Sequence, residues 1–109
     1  ADDGVDLDEA EKLLEVALSL RPNDGYFLDS MGWLLYRKND FDQALEYLLD
    51  ATRSVKNESI IYEHLGDVYF KLLKYQEAEK SYREALRINI SLDEIERINK
   101  KINILKTKI

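Results

Sequence analysis

The chain has 109 residues, about one domain's worth, and sets 16 Lys and Arg against 22 Asp and Glu for a formal charge of −6. It has no cysteine, which removes disulfides, thiolate nucleophiles and thiolate metal sites together. The acid surplus argues against a duplex nucleic-acid binder, which needs basic surface to displace counterions, and no apolar run approaches the roughly 18 residues that suggest a bilayer span.

The pattern predicts six helices. The first runs over about 7–20 and stops before Pro22, because the residue preceding a proline is pushed out of helical geometry. The next four fall at about 25–38, 41–55, 59–72 and 75–88. Asn23 or Asp24, Asp40 and Asn57 are the expected N-caps, each able to accept from free amides of a first turn. The last helix, over about 92–108, opens on Ser91-x-x-Glu94, a capping box.

An internal period underlies these elements. LDSMGWLL at Leu28–Leu35 and YEHLGDVY at Tyr62–Tyr69 place Gly32 and Gly66 34 residues apart, a spacing typical of stacked helix-turn-helix repeats. In that register Met31 aligns with Leu65, Phe41 with Tyr75, Ala44 with Ala78, Leu48 with Tyr82 and Ala51 with Ala85. One more step back reaches Ala10, Leu14 and Ala17, the second helix of a copy whose first helix is missing. A glycine inside a helix costs about 1 kcal/mol against alanine. Gly32 and Gly66 are therefore expected where a side chain would block a neighbouring helix.

These residues resemble the tetratricopeptide repeat family, whose pattern runs W-x2-L-G-x2-Y, then A-x3-F, then P. The copy at Tyr62, Leu65-Gly66, Tyr69, Ala78 and Tyr82 matches most fully; Leu28, Met31-Gly32, Leu35, Ala44 and Leu48 form the other. The prolines after Ala51 and Ala85 are absent, with Lys56 and Ile90 in their places. The wording is also similar to C-terminal arrays of bacterial multi-repeat proteins. The resemblance implies an all-α, right-handed solenoid of antiparallel helix pairs. Its expected parts are an orphan second helix over 1–22, full repeats over 23–56 and 57–90, and a C-terminal capping helix over 91–109.

The last helix departs from the pattern. Glu96, Asn99, Lys100 and Asn103 stand where an aromatic, a leucine, the glycine and a tyrosine would recur. Ile95, Ile98, Ile102, Leu105 and Ile109 form a single stripe instead, as a helix covering the final repeat requires. At the other end Leu7, Ala10, Leu14 and Ala17 lie on one side and Leu13, Val16 and Leu20 on another, more apolar surface than one neighbour covers. The chain opens ADDG, without an initiator Met or a visible targeting segment. It is expected to be a piece of a longer array whose open end is sticky or covered by a second copy, making a homo-oligomer.

No catalytic constellation is visible, and an enzyme is not expected. His64, the single histidine, has Glu63 and Asp67 beside it on one helix; this is at most a weak metal or acid-base cluster and more simply polar lining. No cofactor motif or zinc-ligand spacing occurs. Asn57-Glu58-Ser59 and Asn89-Ile90-Ser91 are formal glycosylation sequons of a kind chance produces easily.

In the family, the resemblance implies, the concave surface is lined by the first helix of each repeat. Here that face carries Tyr26, Asp29, Trp33 and Arg37, then Ile60, Glu63, Asp67 and Phe70 or Lys71, with Arg97 and Lys101 beyond. Some relatives grip a partner's terminal carboxylate with lysines and asparagines in this place. The acids here oppose such a clamp and favour a peptide with apolar anchors and some basic character. The expected function is a protein-protein interaction scaffold binding in the groove through Trp33, Tyr26 and Phe70. The alternative is a spacer or self-association module acting through the ends. Charge is uneven: residues 1–50 carry −9 and residues 51–109 carry +3.

Overall fold

The computed structural model describes residues 6–88 and 90–109. Among the described residues there are six helices and no strand: α1 Leu7–Leu20, α2 Gly25–Arg37, α3 Phe41–Ser54, α4 Ser59–Lys71, α5 Tyr75–Arg87 and α6 Leu92–Lys106. The predicted stretches hold, with most ends falling one or two residues sooner. Two compact units divide the chain, residues 1–55 and 56–109. No helix among the described residues is long and apolar enough to cross a membrane.

Within the first unit, α2 and α3 pack antiparallel. A β-carbon on Gly32 would lie 2.7 Å from Leu48 Cγ and 3.3 Å from the Ala44 carbonyl, while one on Gly25, at the opposite end of α2, would meet Val55 and Ser54. Early residues of α2 thus face late residues of α3, and at both glycines the helices leave no room for a side chain. Leu28, Met31, Leu35, Ala44, Leu48 and Ala51 are buried in consequence. Asp24 accepts from the Tyr26 and Phe27 amides, so it, and not Asn23, caps α2. Helix α1 packs on α2 and is tied to its end by Lys38, whose Nζ donates to Asp8 (2.7 Å) and Glu11 (2.8 Å). Its Ala10, Leu14 and Ala17 are half-buried, whereas Leu13, Val16 and Leu20 are 67%, 59% and 78% exposed.

The second unit repeats the arrangement and adds a helix. A β-carbon on Gly66 would lie 2.5 to 2.9 Å from three atoms of the Tyr82 ring. Phe70 and Tyr75 close the α4–α5 turn edge to face at 5.5 Å. Ala78, Tyr82 and Ala85 of α5 form one buried cluster with Ile98, Ile102 and Leu105 of α6. Ile95 is only half-buried, and Ile109, past the end of α6, is 61% exposed, so the predicted stripe is shorter at both ends. Ser91 and Glu94 make the expected capping box. Asn57 does not cap α4: the N-cap is Glu58, and its side chain makes no capping bond. Asn89, the second sequon's asparagine, lies outside the described residues.

The turns repeat as well. Asn39 and Leu73, 34 residues apart, both take left-handed backbone with φ of 65° and 63°. The Asp40 amide donates to the Leu35 carbonyl and the Lys74 amide to the Tyr69 carbonyl. With the Asn39-to-Tyr36 and Leu73-to-Phe70 bonds, these complete two Schellman motifs.

Candidate functional site

The site residues fall on two faces, one in each unit. In the first unit Tyr26, Asp29, Trp33 and Arg37 recur at spacings of 3, 4 and 4 along α2, so they share one side of the helix. Tyr26 is 58% exposed and Arg37 is exposed, while Asp29 and Trp33 are half-buried. The Trp33 ring stacks on Tyr36 at 4.5 Å with 9° between planes, and Tyr36 meets Phe41 edge-on at 5.6 Å. A stacked pair backed by a third ring is a rigid, amphipathic surface that loses little side-chain entropy when covered. Sequence reading selected Trp33 but not Tyr36, although the i, i+3 spacing was there to find it.

In the second unit Ile60, Glu63, Asp67, Phe70 and Lys71 lie on α4, and Arg97 and Lys101 of α6 reach across to them. The partners keep one offset. Arg97 Nε and Nη2 donate to the two oxygens of Glu63 at 2.8 and 2.7 Å. Lys101 Nζ donates to Asp67 at 3.0 and 3.1 Å and to Glu63 at 2.7 Å. Residues 63 and 97, like 67 and 101, are one period of 34 apart, so α6 runs alongside α4 in the same direction. The Tyr82 hydroxyl donates to Asp67 Oδ1 at 2.6 Å and completes the network.

This arrangement changes the expected role of the acids. Glu63 and Asp67 are 3% and 9% exposed, and both carboxylates are occupied by cations of the same unit. Burial alone would raise the Glu63 pKa, but the hydrogen bonds and charges of Arg97 and Lys101 outweigh it and hold the carboxyl at about 2. Desolvation opposes the charge of Lys101 in turn, and its bonds to Glu63 and Asp67 raise its pKa in spite of that. The acidic floor expected from the sequence is electrically neutral here. Arg97 and Lys101, expected on the same face, are the groups that neutralise it. Of the remaining residues, Ile60 is 37% exposed, Lys71 is exposed, and Phe70 is half-buried against Tyr75.

Among the described residues no group of three or more His, Cys, Asp and Glu side chains could hold a metal ion. His64 is half-buried, and the two acids near it in sequence serve Arg97 and Lys101. Sequence reading missed two contributors, Tyr82 as a donor to Asp67 and Ile104 as an apolar wall beside Lys101.

Antiparallel helix pairs keyed by a glycine and repeated every 34 residues define a helical-repeat protein. The tetratricopeptide repeat family model matches residues 30–92, more than half the chain, and the chain belongs to that family. It is 32% identical over 81 residues to the TPR repeat-containing protein MJ1428 of Methanocaldococcus jannaschii, covering 74% of this chain and 14% of that protein. It is 33% identical over 96 residues to the anaphase-promoting complex subunit CDC16 of Saccharomyces cerevisiae, covering 82% of this chain and 11% of the subunit. The chain thus spans a small part of the relatives' length. Among solved structures, PcrH in complex with the chaperone binding region of PopD matches with a TM-score of 0.84 at 16% identity, over 94% of this chain and 80% of that one. The Yersinia enterocolitica type III secretion chaperone SycD, in complex with a peptide of the translocator YopD, matches with 0.83 at 17% identity, over 94% and 81%.

Proposed function

We propose that the chain is a protein-protein interaction scaffold that takes a peptide or segment of a partner in the concave groove lined by its first helices. The observation that carries this reading is the aromatic face of α2, where Tyr26 is largely exposed and Trp33 is held against Tyr36. Rigid aromatics bordered by charge are the usual composition of interface hot spots. The family and the two chaperones solved with bound segments support it. Tyr26, Trp33 and Phe70 serve as apolar anchors, and Asp29, Arg37, Ile60 and Lys71 border them. The charge of −9 over residues 1–50 favours a basic stretch of the partner against the first unit.

Peptides selected by display on the immobilised chain supply the probe. The selected peptides are expected to carry an apolar anchor with Lys or Arg nearby. Trp33→Ala, checked for an unchanged helical circular dichroism spectrum, should bind them at least tenfold more weakly. Equal affinity for the two proteins would remove the groove from the reading.

The exposure of Leu13, Val16 and Leu20 supports a second reading, self-association through α1. Sedimentation equilibrium would then show mass rising with concentration, and Leu13→Glu with Leu20→Glu would abolish the rise. A concentration-independent monomer mass would dismiss it.

A further inference from the structure

The second unit contains a cavity of about 150 Å³ lined by Asp67, Phe70, Tyr82, Lys101 and Ile104. Its walls and floor differ in kind. Phe70 is half-buried, Ile104 is 52% exposed and the Tyr82 ring is almost wholly covered. Beside them is the Asp67–Lys101 pair, with Lys101 Nζ 5.9 Å from the centre of the Tyr82 ring.

We infer that this cavity receives one aliphatic side chain, of leucine or methionine size, from an acidic segment of a partner protein. The size fits, since an apolar-walled space of about 150 Å³ takes a six-carbon molecule such as benzene. The floor selects an apolar group. Lys101 makes bonds to Glu63 and to both oxygens of Asp67, and Asp67 also accepts from Tyr82. An accepting group arriving there would have to take one of the three Lys101 N–H groups from Glu63 or Asp67, whereas a hydrocarbon covers Phe70 and Ile104 and leaves those bonds intact.

The rim selects the flanking charge. Arg97, Lys100, Lys101 and Ile104 share one side of α6 at spacings of 3, 1 and 3, and Lys71 follows Phe70 on α4. Arg97 retains 46% side-chain exposure, and Lys100 and Lys71 are exposed. Glu63 and Asp67 are buried under Arg97 and Lys101, and Glu94, one turn before Arg97, is bonded to Ser91 and Ser59. Acidic residues on either side of the anchor therefore meet cations at the rim, the reverse of the preference proposed for the first unit.

The inference rests on the groove reading, and NMR of the whole chain, read at the Ile104 methyls and the Trp33 indole N–H, separates the two. The probes are acetyl-Glu-Glu-Leu-Glu-Glu-amide, the same peptide with Ser for Leu, and acetyl-Lys-Lys-Leu-Lys-Lys-amide. The acidic leucine peptide is expected to shift the Ile104 methyl signals. The serine and lysine peptides should bind at least tenfold more weakly, as should the leucine peptide to Ile104→Ser or Phe70→Ala. The absence of any Ile104 shift, or equal shifts with leucine and serine, would overturn the inference; shifts at Trp33 alone would do so while leaving the groove reading in place. Shifts at Ile104 with undiminished display-peptide binding by Trp33→Ala would uphold the cavity and reject the wider groove.

Discussion

Gly66→Leu is expected to cost about 3 kcal/mol, the upper end of what overpacking a close-packed site costs, and to lower the melting temperature by roughly 10–20 °C. Leucine recovers up to about 1 kcal/mol of helix propensity relative to glycine, so local preference works in the opposite direction. The clash prevails because the obstacle cannot swing away. A single β-carbon at Gly66 already lies 2.5 Å from the Tyr82 ring, and that ring is 2% exposed and anchored by its hydroxyl to Asp67. Thermal unfolding followed by circular dichroism reads the loss. In a Tyr82→Ala background, where the obstructing ring is gone, most of the Gly66→Leu penalty should vanish. A Gly66→Leu protein that melts at or above the parent temperature would show that α4 and α5 do not meet at the glycine.

The second large effect is a dependence on acid. Glu63 has its pKa lowered in the folded chain from 4.5 to about 2. A depressed carboxyl pKa contributes stability that is fully present above the unfolded value and is lost as pH falls through the folded one. The stability held by Glu63 should therefore be complete above about pH 4.5 and disappear towards pH 2. The full shift would correspond to roughly 3 kcal/mol. Because Arg97 is 46% exposed, solvent screening brings the expected value nearer about 2 kcal/mol. Glu63→Gln cannot be charged. It should be about 2 kcal/mol less stable than the parent at pH 7 and approach the parent as pH falls from 4.5 to 2, as read by urea midpoints. Parallel declines of the two proteins over that window would locate the acid sensitivity elsewhere.

Residues whose physical role is fixed by size were legible in the sequence. Gly32, Gly66 and the alanines opposite them admit few explanations other than close helix packing, and they lie where the two helices of each hairpin touch. The ends of α4 and α5 were harder to read. Asn57 is a better N-cap by composition than Glu58, yet α4 starts one residue later than that cap would place it. Leu73 carries no mark of a left-handed turn, since leucine avoids positive φ; the demands of a Schellman turn override its preference.

For the candidate site, the sequence placed its residues on particular helices but did not show that Glu63 and Asp67 are buried and ion-paired. Glu63 and Asp67 look like groove acids on a helical wheel of α4 alone. Their neutralisation depends on α6, whose Arg97 and Lys101 were expected on the same face but as groove residues and not as partners of these acids. The common offset of 34 residues was present in the sequence as the sign that those cations stand directly beside the acids. Ile104 lies off the apolar stripe of α6, and only its position next to Phe70 and Lys101 gives it a role.

Titration of the Glu63 side-chain carboxyl by carbon-detected NMR tests most directly whether α6 docks one repeat period beyond α4 and neutralises its acidic face. A carboxyl resonance that stays ionised until about pH 2 is the predicted result. A midpoint near the ordinary glutamate value of about 4.3 would mean that Arg97 and Lys101 are not seated on it, and would contradict the account.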